Sequence, residues 1–193
     1  MRIIAGLAGR RTLRAPSGLR TRPMTDRARQ ALFSSMGSDF RGVRVLDLYA
    51  GTGSLGLEAL SRGAAGAVFV EQDSAALEAL RHNITALGIG GEVWAGEVAE
   101  YLVSARKKNP DLRFELIFVD PPYEMEIESV CKNLAAASDL LTSDGRLVLH
   151  RRLGESPPRV VGLKSDRTQT IGTARIRRYR KVEYDRFGYT QPP

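Results

Sequence analysis

The residues best placed to do chemistry lie in the stretch LIFVDPPYEM, residues 116–125. An apolar run, typical of a buried strand, ends there on the carboxylate of Asp120. Pro121 and Pro122 have no amide hydrogen and a fixed φ, so the strand must stop and the following turn is stiff. The Asp120 carboxylate and the Pro121 carbonyl are therefore hydrogen-bond acceptors in fixed positions, and Tyr123 adds an aromatic face.

A second candidate is the glycine-rich stretch VLDLYAGTGSLGLEAL. Gly51, Gly53 and Gly56 form a G-x-G-x-x-G pattern between a predicted strand and a predicted helix, where glycine allows close approach of a ligand to the backbone. Two cofactors fit: a dinucleotide, whose pyrophosphate lies on the helix N-terminus, or S-adenosylmethionine, which carries an ammonium, a sulfonium and a ribose diol. Asp47 stands directly before the glycines, where it suits an ammonium and faces a pyrophosphate poorly, which favours S-adenosylmethionine.

Acidic residues follow four predicted strands. In an open parallel sheet, ligands bind outside the carboxyl ends of the strands, so these side chains are expected at one rim. Such a rim favours a ligand with hydroxyls, amines or positive charge. The four acids are Asp47, Glu71, Glu97 and Asp120.

The elements that must hold these residues can be traced along the chain. From Val43 onward, short apolar strands alternate with helices, which predicts an α/β fold with a mostly parallel sheet covered on both faces. Two further strands, joined at Gly172, predict an antiparallel hairpin at the sheet edge. Near the start, alternating residues predict a β-hairpin from Arg2 to Arg14, and a helix is expected to begin at Thr25 or Asp26. The strands are VRVLDL, GAVFVE, EVWAG, LIFVD, GRLVLH and the two of the hairpin.

The charge distribution indicates a polyanionic partner. Residues 1–44 contain 10 Lys+Arg, all arginine, and 2 Asp+Glu; residues 45–149 contain 8 and 16; residues 150–193 contain 11 and 4. An acidic body is thus flanked by two basic ends. Arginine suits bidentate recognition of phosphate, so nucleic acid is the expected partner.

The glycine loop and DPPY together resemble the S-adenosylmethionine-dependent amino-methyltransferases. The resemblance narrows with RIIAG, GRRTLRAP, LRTRPMTDRARQALF and GLEALSRGA, which are similar to the RsmD family of 16S ribosomal RNA guanine-N2 methyltransferases. It covers residues 1–149 strongly and the C-terminal strands loosely. It implies a Rossmann-like class I methyltransferase that methylates the exocyclic 2-amino group of one guanine, on the 30S subunit or an assembly intermediate.

The resemblance also implies roles for individual residues. In the catalytic turn, Asp120 and the Pro121 carbonyl would accept hydrogen bonds from the amine, Pro122 would stiffen the turn and Tyr123 would stack on an extruded base. Glu71 would hold the ribose of the cofactor. The remaining implied cofactor-binding residues are Asp47, Tyr49, Ala50, Gly51, Thr52, Gly53, Gln72, Glu97, Val98 and Asp120. The implied RNA-binding residues are Arg10, Arg11, Arg22, Thr25, Arg27 and Tyr123.

The sequence departs from the family at His150, where many relatives have a glutamate, so no role of that acid can be transferred. We expect His150 and His82 to be surface or packing residues, because this type of methyl transfer needs no strong base beforehand. The single cysteine, Cys131, excludes an internal disulfide and a cysteine-based metal cage. No apolar run approaches the roughly 20 residues that span a bilayer, and no signal-peptide region is present.

These observations predict a cytoplasmic monomer that needs no metal. We expect a basic, RNA-contacting N-terminal extension over residues 1–40 (hairpin plus helix), a methyltransferase domain over 41–184 and a tail over 185–193. Three alternatives stay open. A DNA adenine-N6 or protein glutamine methyltransferase would share the fold and the turn, a nicotinamide-dependent oxidoreductase would share the glycine loop, and a noncatalytic RNA-binding module would share the basic ends.

Overall fold

The computed structural model describes residues 1–16 and 24–182 and has a seven-stranded sheet with the order β3-β2-β1-β4-β5-β7-β6. Strands β1 to β5 are parallel, and β7 runs antiparallel to β5 and β6. The predicted α/β fold is therefore confirmed. The strands are β1 (Arg44–Leu48), β2 (Gly66–Glu71), β3 (Glu92–Ala95), β4 (Phe114–Val119), β5 (Leu141–Arg152), β6 (Leu163–Ile171) and β7 (Ala174–Lys181).

Five helices in the described residues cover both faces of this sheet. Side chains of α1, α2 and α3 pack in one apolar cluster, and those of α4 and α5 pack in the other. Because side chains alternate along a strand, Phe118 of β4 belongs to the first cluster while its neighbours Ile117 and Val119 belong to the second. The helices are α1 (Asp26–Met36), α2 (Ser54–Ser61), α3 (Ser74–Leu87), α4 (Val98–Lys108) and α5 (Ile127–Asp139).

Local sequence explains where these helices begin and end. Thr25 is the N-cap of α1, as predicted, and its side chain accepts a hydrogen bond from the amide of Ala28. Asp73 caps α3 in the same way through the amide of Ala76, and α3 ends at Gly88 in the left-handed conformation. These caps fix the starts of two of the three helices that cover the first face.

The N-terminal segment differs from the predicted hairpin. Between Arg2 and Arg14 the ends of the segment pair antiparallel, through the bridge of Arg2 to Thr12 and through cross-segment backbone bonds at Ile3 and Leu13, but no regular strands form. The segment instead docks on α2, where the buried Glu58 carboxylate accepts hydrogen bonds from two backbone amides in the segment. Gly6 lies so close to the Ser61 carbonyl that a β-carbon there would be 1.8 Å from the oxygen. Tertiary contact with α2 therefore determines the shape of this segment.

The C-terminal strands form the predicted hairpin around Gly172, and β5 extends beyond the predicted GRLVLH at both ends. The predicted tail over residues 185–193 lies outside the described residues. The division at residue 40 stays a prediction: Ile3 and Phe33 from the N-terminal extension share one apolar cluster with Val45 of β1. No helix within the described parts of the chain is both long and apolar enough to cross a membrane.

Candidate active site

The carboxyl ends of β1, β2 and β4 bring three of the predicted acids to one rim of the sheet. Asp47 of β1 pairs in register with Phe69 of β2 and Phe118 of β4, and Glu71 and Asp120 lie two residues further along those strands. Burial raises the pKa of Asp47 well above its usual value of 3.8, and the charges of Asp120 and Glu71 raise it further. The three strand ends therefore form one acidic rim.

Asp47 lies beneath the glycine loop, only 1% exposed, and does not line its open side. Its Oδ2 accepts a hydrogen bond of 2.8 Å from the amide of Gly56, in the first turn of α2. This bond lowers the pKa of Asp47 but offsets only part of the effect of burial. Contact with a cofactor ammonium stays a prediction for this residue.

The glycine loop between β1 and α2 presents its backbone to open space. Gly51 and Gly53 have φ of 56° and 81°, a region that L-residues other than glycine rarely adopt. A β-carbon on Gly51 would meet nothing within 4 Å, whereas one on Gly53 would lie 2.5 Å from the Leu80 side chain. Tyr49 also has a positive φ, 61°, and its hydroxyl accepts a 2.6 Å hydrogen bond from Asn133. The loop thus combines a tightly packed underside with an open upper side.

Glu71 ties the glycine loop to the turn after β2. Its Oε2 accepts a hydrogen bond of 2.7 Å from the amide of Gly51, and its Oε1 accepts bonds of 2.8 Å each from the amides of Gln72 and Asp73. The carboxylate is therefore anchored beside the open side of the loop.

The other predicted cofactor residues surround this loop. Ala50 and Thr52 are buried within it, and Gln72 is exposed beside Glu71. Glu97 is exposed at the N-cap position of α4 with no capping hydrogen bond from its side chain, and Val98 behind it is buried.

The turn DPPY is held from both strands beside it. The amide of Asp120 donates to the Leu48 carbonyl at 3.3 Å, which places the turn next to the glycine loop. From β5, the guanidinium of Arg151 donates to the carbonyls of Pro122 at 2.7 Å, Tyr123 at 3.2 Å and Met125 at 3.1 Å. Arg151 was missed by sequence reasoning, although the alternation of LVLHRR places it on the buried face of Leu149.

His150 occupies a packing position rather than the surface. It is 3% exposed, and beyond what was predicted it contacts two residues of the turn. Its Nδ1 lies 2.7 Å from Oδ1 of Asp120, and its Nε2 lies 3.4 Å from the hydroxyl of Tyr123. The sequence carried one signal for this contact: His150 ends the predicted strand GRLVLH, which follows the strand of Asp120 along the chain. His82 is exposed on α3, as predicted.

The predicted RNA-binding residues lie apart from one another. Arg10 and Arg27 are exposed, whereas Arg11 donates to the carbonyls of Ala86 and Leu87 at the end of α3. Thr25 caps α1. Arg22 lies outside the described residues. In the described ranges, no group of three or more His, Cys, Asp or Glu side chains is arranged to hold a metal ion.

The fold and the site together define a Rossmann-like methyltransferase, with a glycine loop after β1 and an Asp-Pro-Pro-Tyr turn after β4. Comparison with known proteins gives the family. A family profile described as Conserved hypothetical protein 95 matches residues 1–180. This chain belongs to that family, which is the RsmD family of rRNA methyltransferases.

Individual relatives agree with this assignment. YlbH of Bacillus subtilis (strain 168), provisionally named an rRNA methyltransferase, is 35% identical over 94% of this chain and 99% of its own length. Ribosomal RNA small subunit methyltransferase D of Escherichia coli (strain K12) is 34% identical over 83% of this chain and 79% of its own. A solved hypothetical protein of Thermus thermophilus is 31% identical with a TM-score of 0.81, covering 94% of this chain and 99% of that one.

Proposed function

We propose that this protein transfers a methyl group from S-adenosylmethionine to the exocyclic 2-amino group of a guanine in 16S rRNA, on the 30S subunit or an assembly intermediate. The observation that carries the proposal is the position of the Asp120 carboxylate, on a stiff turn directly beside the open glycine loop. The printed names of relatives such as ribosomal RNA small subunit methyltransferase D support rRNA as the substrate class.

The residues around the glycine loop fit this cofactor. The backbone of Gly51 faces open space, so a ligand can lie against it. Glu71 holds its carboxylate next to that space, where it can also accept hydrogen bonds from a ribose diol. The carboxylates of Glu71 and Asp120 at the rim favour the positively charged end of the cofactor and disfavour a pyrophosphate. S-adenosylmethionine would supply a methyl group that its positively charged sulfur already activates.

The role of the protein is to orient the amine and to exclude water. The amino nitrogen of guanine is a poor nucleophile because its lone pair is drawn into the ring. Asp120 and the Pro121 carbonyl can accept hydrogen bonds from its two N–H groups, which returns electron density to the nitrogen and aims its lone pair. As the new N–C bond forms, the bond between the methyl carbon and the cofactor sulfur would break, leaving a neutral thioether, and the amine would lose one proton to the Asp120 carboxylate or to solvent.

Tyr123 offers a stacking surface for the extruded base. The guanidinium carbon of Arg152 lies 5.0 Å from the centre of its ring, a cation–π contact that covers one ring face. A base stacked on Tyr123 would therefore use the other face, with Arg152 available to a nearby phosphate.

The N-terminal extension is proposed to contact RNA through its exposed arginines. Arg10 and Arg27 are exposed, whereas the guanidinium of Arg11 bonds carbonyls of α3 and so has a structural contact of its own. Replacing Arg10 and Arg27 with glutamine is expected to weaken RNA binding and flatten its salt dependence. An unchanged salt slope would mean that this surface does not face the RNA.

One variant tests the catalytic assignment. Asp120→Ala is expected to abolish methyl transfer to 30S particles while leaving S-adenosylmethionine binding largely intact. Asp111→Ala, which removes an exposed carboxylate far from the turn, is the matched control and should retain activity. Equal loss of transfer and cofactor binding in Asp120→Ala would mean that Asp120 is a cofactor residue instead.

The substrate is tested with labelled cofactor offered to 30S particles, naked 16S rRNA, DNA and protein. Label in rRNA, recovered as N2-methylguanosine by mass spectrometry, is the expected result. Label recovered in adenine of DNA or in glutamine of protein would contradict the proposal and identify a DNA adenine or protein glutamine methyltransferase. A shift in melting temperature with NAD and none with S-adenosylmethionine would support an oxidoreductase, and no shift with either would support a noncatalytic module.

A further inference from the structure

His150 links the first and last residues of the DPPY turn. It lies one position beyond Leu149, which pairs with Val119, so it stands beside Asp120 on the neighbouring strand. The imidazole is 3% exposed, with Nδ1 at 2.7 Å from Oδ1 of Asp120 and Nε2 at 3.4 Å from the Tyr123 hydroxyl. The two rings meet edge to face, with centroids 5.9 Å apart.

The chemistry of the three groups fixes the direction of the hydrogen bonds. An ionised carboxylate can only accept, so Nδ1 of His150 must carry the proton that it donates to Asp120. In the neutral imidazole, Nε2 is then an acceptor, and the hydroxyl of Tyr123 can donate to it. This arrangement leaves Oδ2 as the oxygen of Asp120 that is free of the histidine.

We propose that His150 is a positioning residue for methyl transfer. It holds the Asp120 carboxylate so that Oδ2 faces the substrate amine, and it aligns the ring of Tyr123 against the base. This inference rests on the proposed function, because it assigns His150 to the same reaction. Misplacing an acceptor by about 1 Å can cost about 100-fold in rate. Loss of the His150 contact is therefore expected to lower kcat rather than to raise KM.

Kinetics of three variants separate positioning from simple packing. His150→Ala is expected to lower kcat by about 100-fold, with little change in KM for RNA or Kd for the cofactor. His150→Asn keeps an N–H donor near the position of Nδ1 and should recover much of that loss. His82→Ala removes the exposed histidine and is the matched control. Asparagine performing no better than alanine at position 150 would overturn the proposal.

A second measurement does not depend on the substrate. Nitrogen NMR of the free protein should report the Nδ1–H tautomer for His150 and loss of that preference in Asp120→Ala. The Nε2–H tautomer in the unaltered protein would refute the arrangement, whatever the enzyme methylates. An enzyme that shows the expected tautomer but does not methylate rRNA would reject the proposed function and keep the arrangement.

A different observation carries a second inference, at the C-terminal hairpin. A groove of about 810 Å³ lies between β6, β7 and the segment 157–161. Among the described residues that line it, none is acidic and four are cationic: Arg159, Lys164, Arg175 and Arg177.

Two donors in this groove are buried without a partner. Arg177 and Tyr179 are each 3% exposed, yet Nη1 of Arg177 and the hydroxyl of Tyr179 have no hydrogen-bond partner among the residues described. Burial lowers the pKa of Arg177, which reflects an incompletely compensated charge. The cations that line the groove match the oxygens of a phosphate group, and the unpartnered donors behind them add to its positive character.

The groove is connected to the active-site turn. Arg177 donates to the Glu155 carbonyl at 3.1 Å, and the Glu155 carboxylate accepts from Nε of Arg151 at 2.6 Å. Arg151 in turn holds the Pro122 carbonyl. The groove therefore lies near the catalytic turn, so a polynucleotide with its target base at the turn can place a neighbouring phosphate in the groove, which a free anion has no reason to do.

We infer that the groove binds phosphate groups of the substrate RNA next to the target nucleotide, which again rests on the proposed function. The triple variant Arg159→Gln, Lys164→Gln, Arg175→Gln should raise KM for RNA and leave kcat and cofactor binding unchanged. Because each phosphate contact contributes about 0.7 to the salt slope of single-strand binding, the slope should fall by about 2.

The matched control removes three exposed cations elsewhere, through Arg81→Gln, Lys107→Gln and Lys132→Gln. If the two triple variants have matched melting temperatures and the same salt slope of RNA binding, the groove does not bind RNA phosphates. A different result would make the groove a small-anion site. Millimolar inorganic phosphate would displace RNA from the parent protein, but the salt slope of RNA binding would be the same in the parent and in the groove variant. RNA binding without methyl transfer in the parent protein would reject the proposed function and still test the groove.

Discussion

Arg151 offers the sharpest test of how the active-site turn is held. Its side chain is 4% exposed and donates to three carbonyls of the segment 122–125, and its Nε bonds Glu155 at 2.6 Å. Arg151→Met keeps an apolar stem of similar reach and removes all four hydrogen bonds. We therefore expect the turn to lose its fixed geometry while the strand stays in place.

The magnitude follows from the environment of this pair. Removing one partner of a buried ion pair costs about 3–5 kcal/mol, because the other partner is left uncompensated. Glu155 is 26% exposed, so water can replace part of its lost contact and the lower end, about 3 kcal/mol, is expected. For a protein of this size each kcal/mol corresponds to about 2–4 °C, so the melting temperature should fall by about 10 °C.

The assay combines unfolding in urea, thermal melting and methyl transfer below the transition. Arg146→Met, in the middle of the same strand, removes a 40% exposed arginine paired loosely with Asp166 at 3.6 Å, and should cost less than about 1 kcal/mol. If Arg151→Met melts within about 2 °C of that control, an allowance of about 1 kcal/mol, and keeps full activity, the guanidinium does not hold the turn.

Three further substitutions test other parts of the structure. Asp47→Asn removes a buried ionisable group; its raised pKa destabilises the folded state as pH rises above the usual value of 3.8, so the variant's gain in urea stability should grow as the pH rises above that value. A flat difference would contradict this. Gly56→Ala places a β-carbon 2.3 Å from the Phe69 ring and should cost about 2 kcal/mol of unfolding free energy. Glu58→Ala removes the acceptor of two N-terminal amides and the partner of Arg62, so it should cost about 3–5 kcal/mol and expose residues 1–14 to proteolysis, whereas cleavage unchanged from the parent would mean that this docking is dispensable.

Part of the candidate site could be predicted because it depends on local rules. Two prolines end a strand wherever they occur, and glycines at a strand-to-helix turn permit positive φ at Gly51 and Gly53. The alternation of apolar strands with helices predicts parallel pairing, which brings the residues after β1, β2 and β4 to one rim. None of these inferences requires knowledge of which side chains meet.

Side-chain contacts between strands could not be predicted, because they depend on residues far apart in the sequence. His150 and Asp120 are 30 residues apart and meet only because β5 pairs with β4 in a particular register. Arg151 reaches the turn through the same pairing from the other face of the sheet. A sequence gives the type of each residue, but not the neighbour that a register selects.

The N-terminal hairpin was predicted from alternation, which is a local signal, and the structure reduced it to paired ends without regular strands. The amides that a second strand would have paired are bonded instead by Glu58 and by Ser61 of α2. The ends of the segment stay paired, through backbone bonds such as Ile3 N–H to the Arg11 carbonyl and Leu13 N–H to the Met1 carbonyl, while its middle is bonded to α2.

The sequence by itself determined the order of strands and helices, the stiff turn at Asp120 and the open backbone at Gly51, because proline, glycine and periodicity act on neighbouring residues. Only the tertiary structure decided that, of two acids at the same rim, Asp47 is buried against α2 while Asp120 is held by His150 and stays partly exposed. The physical reason is that burial and hydrogen-bond partners depend on which elements pack together, and these set the charge and orientation of each carboxylate.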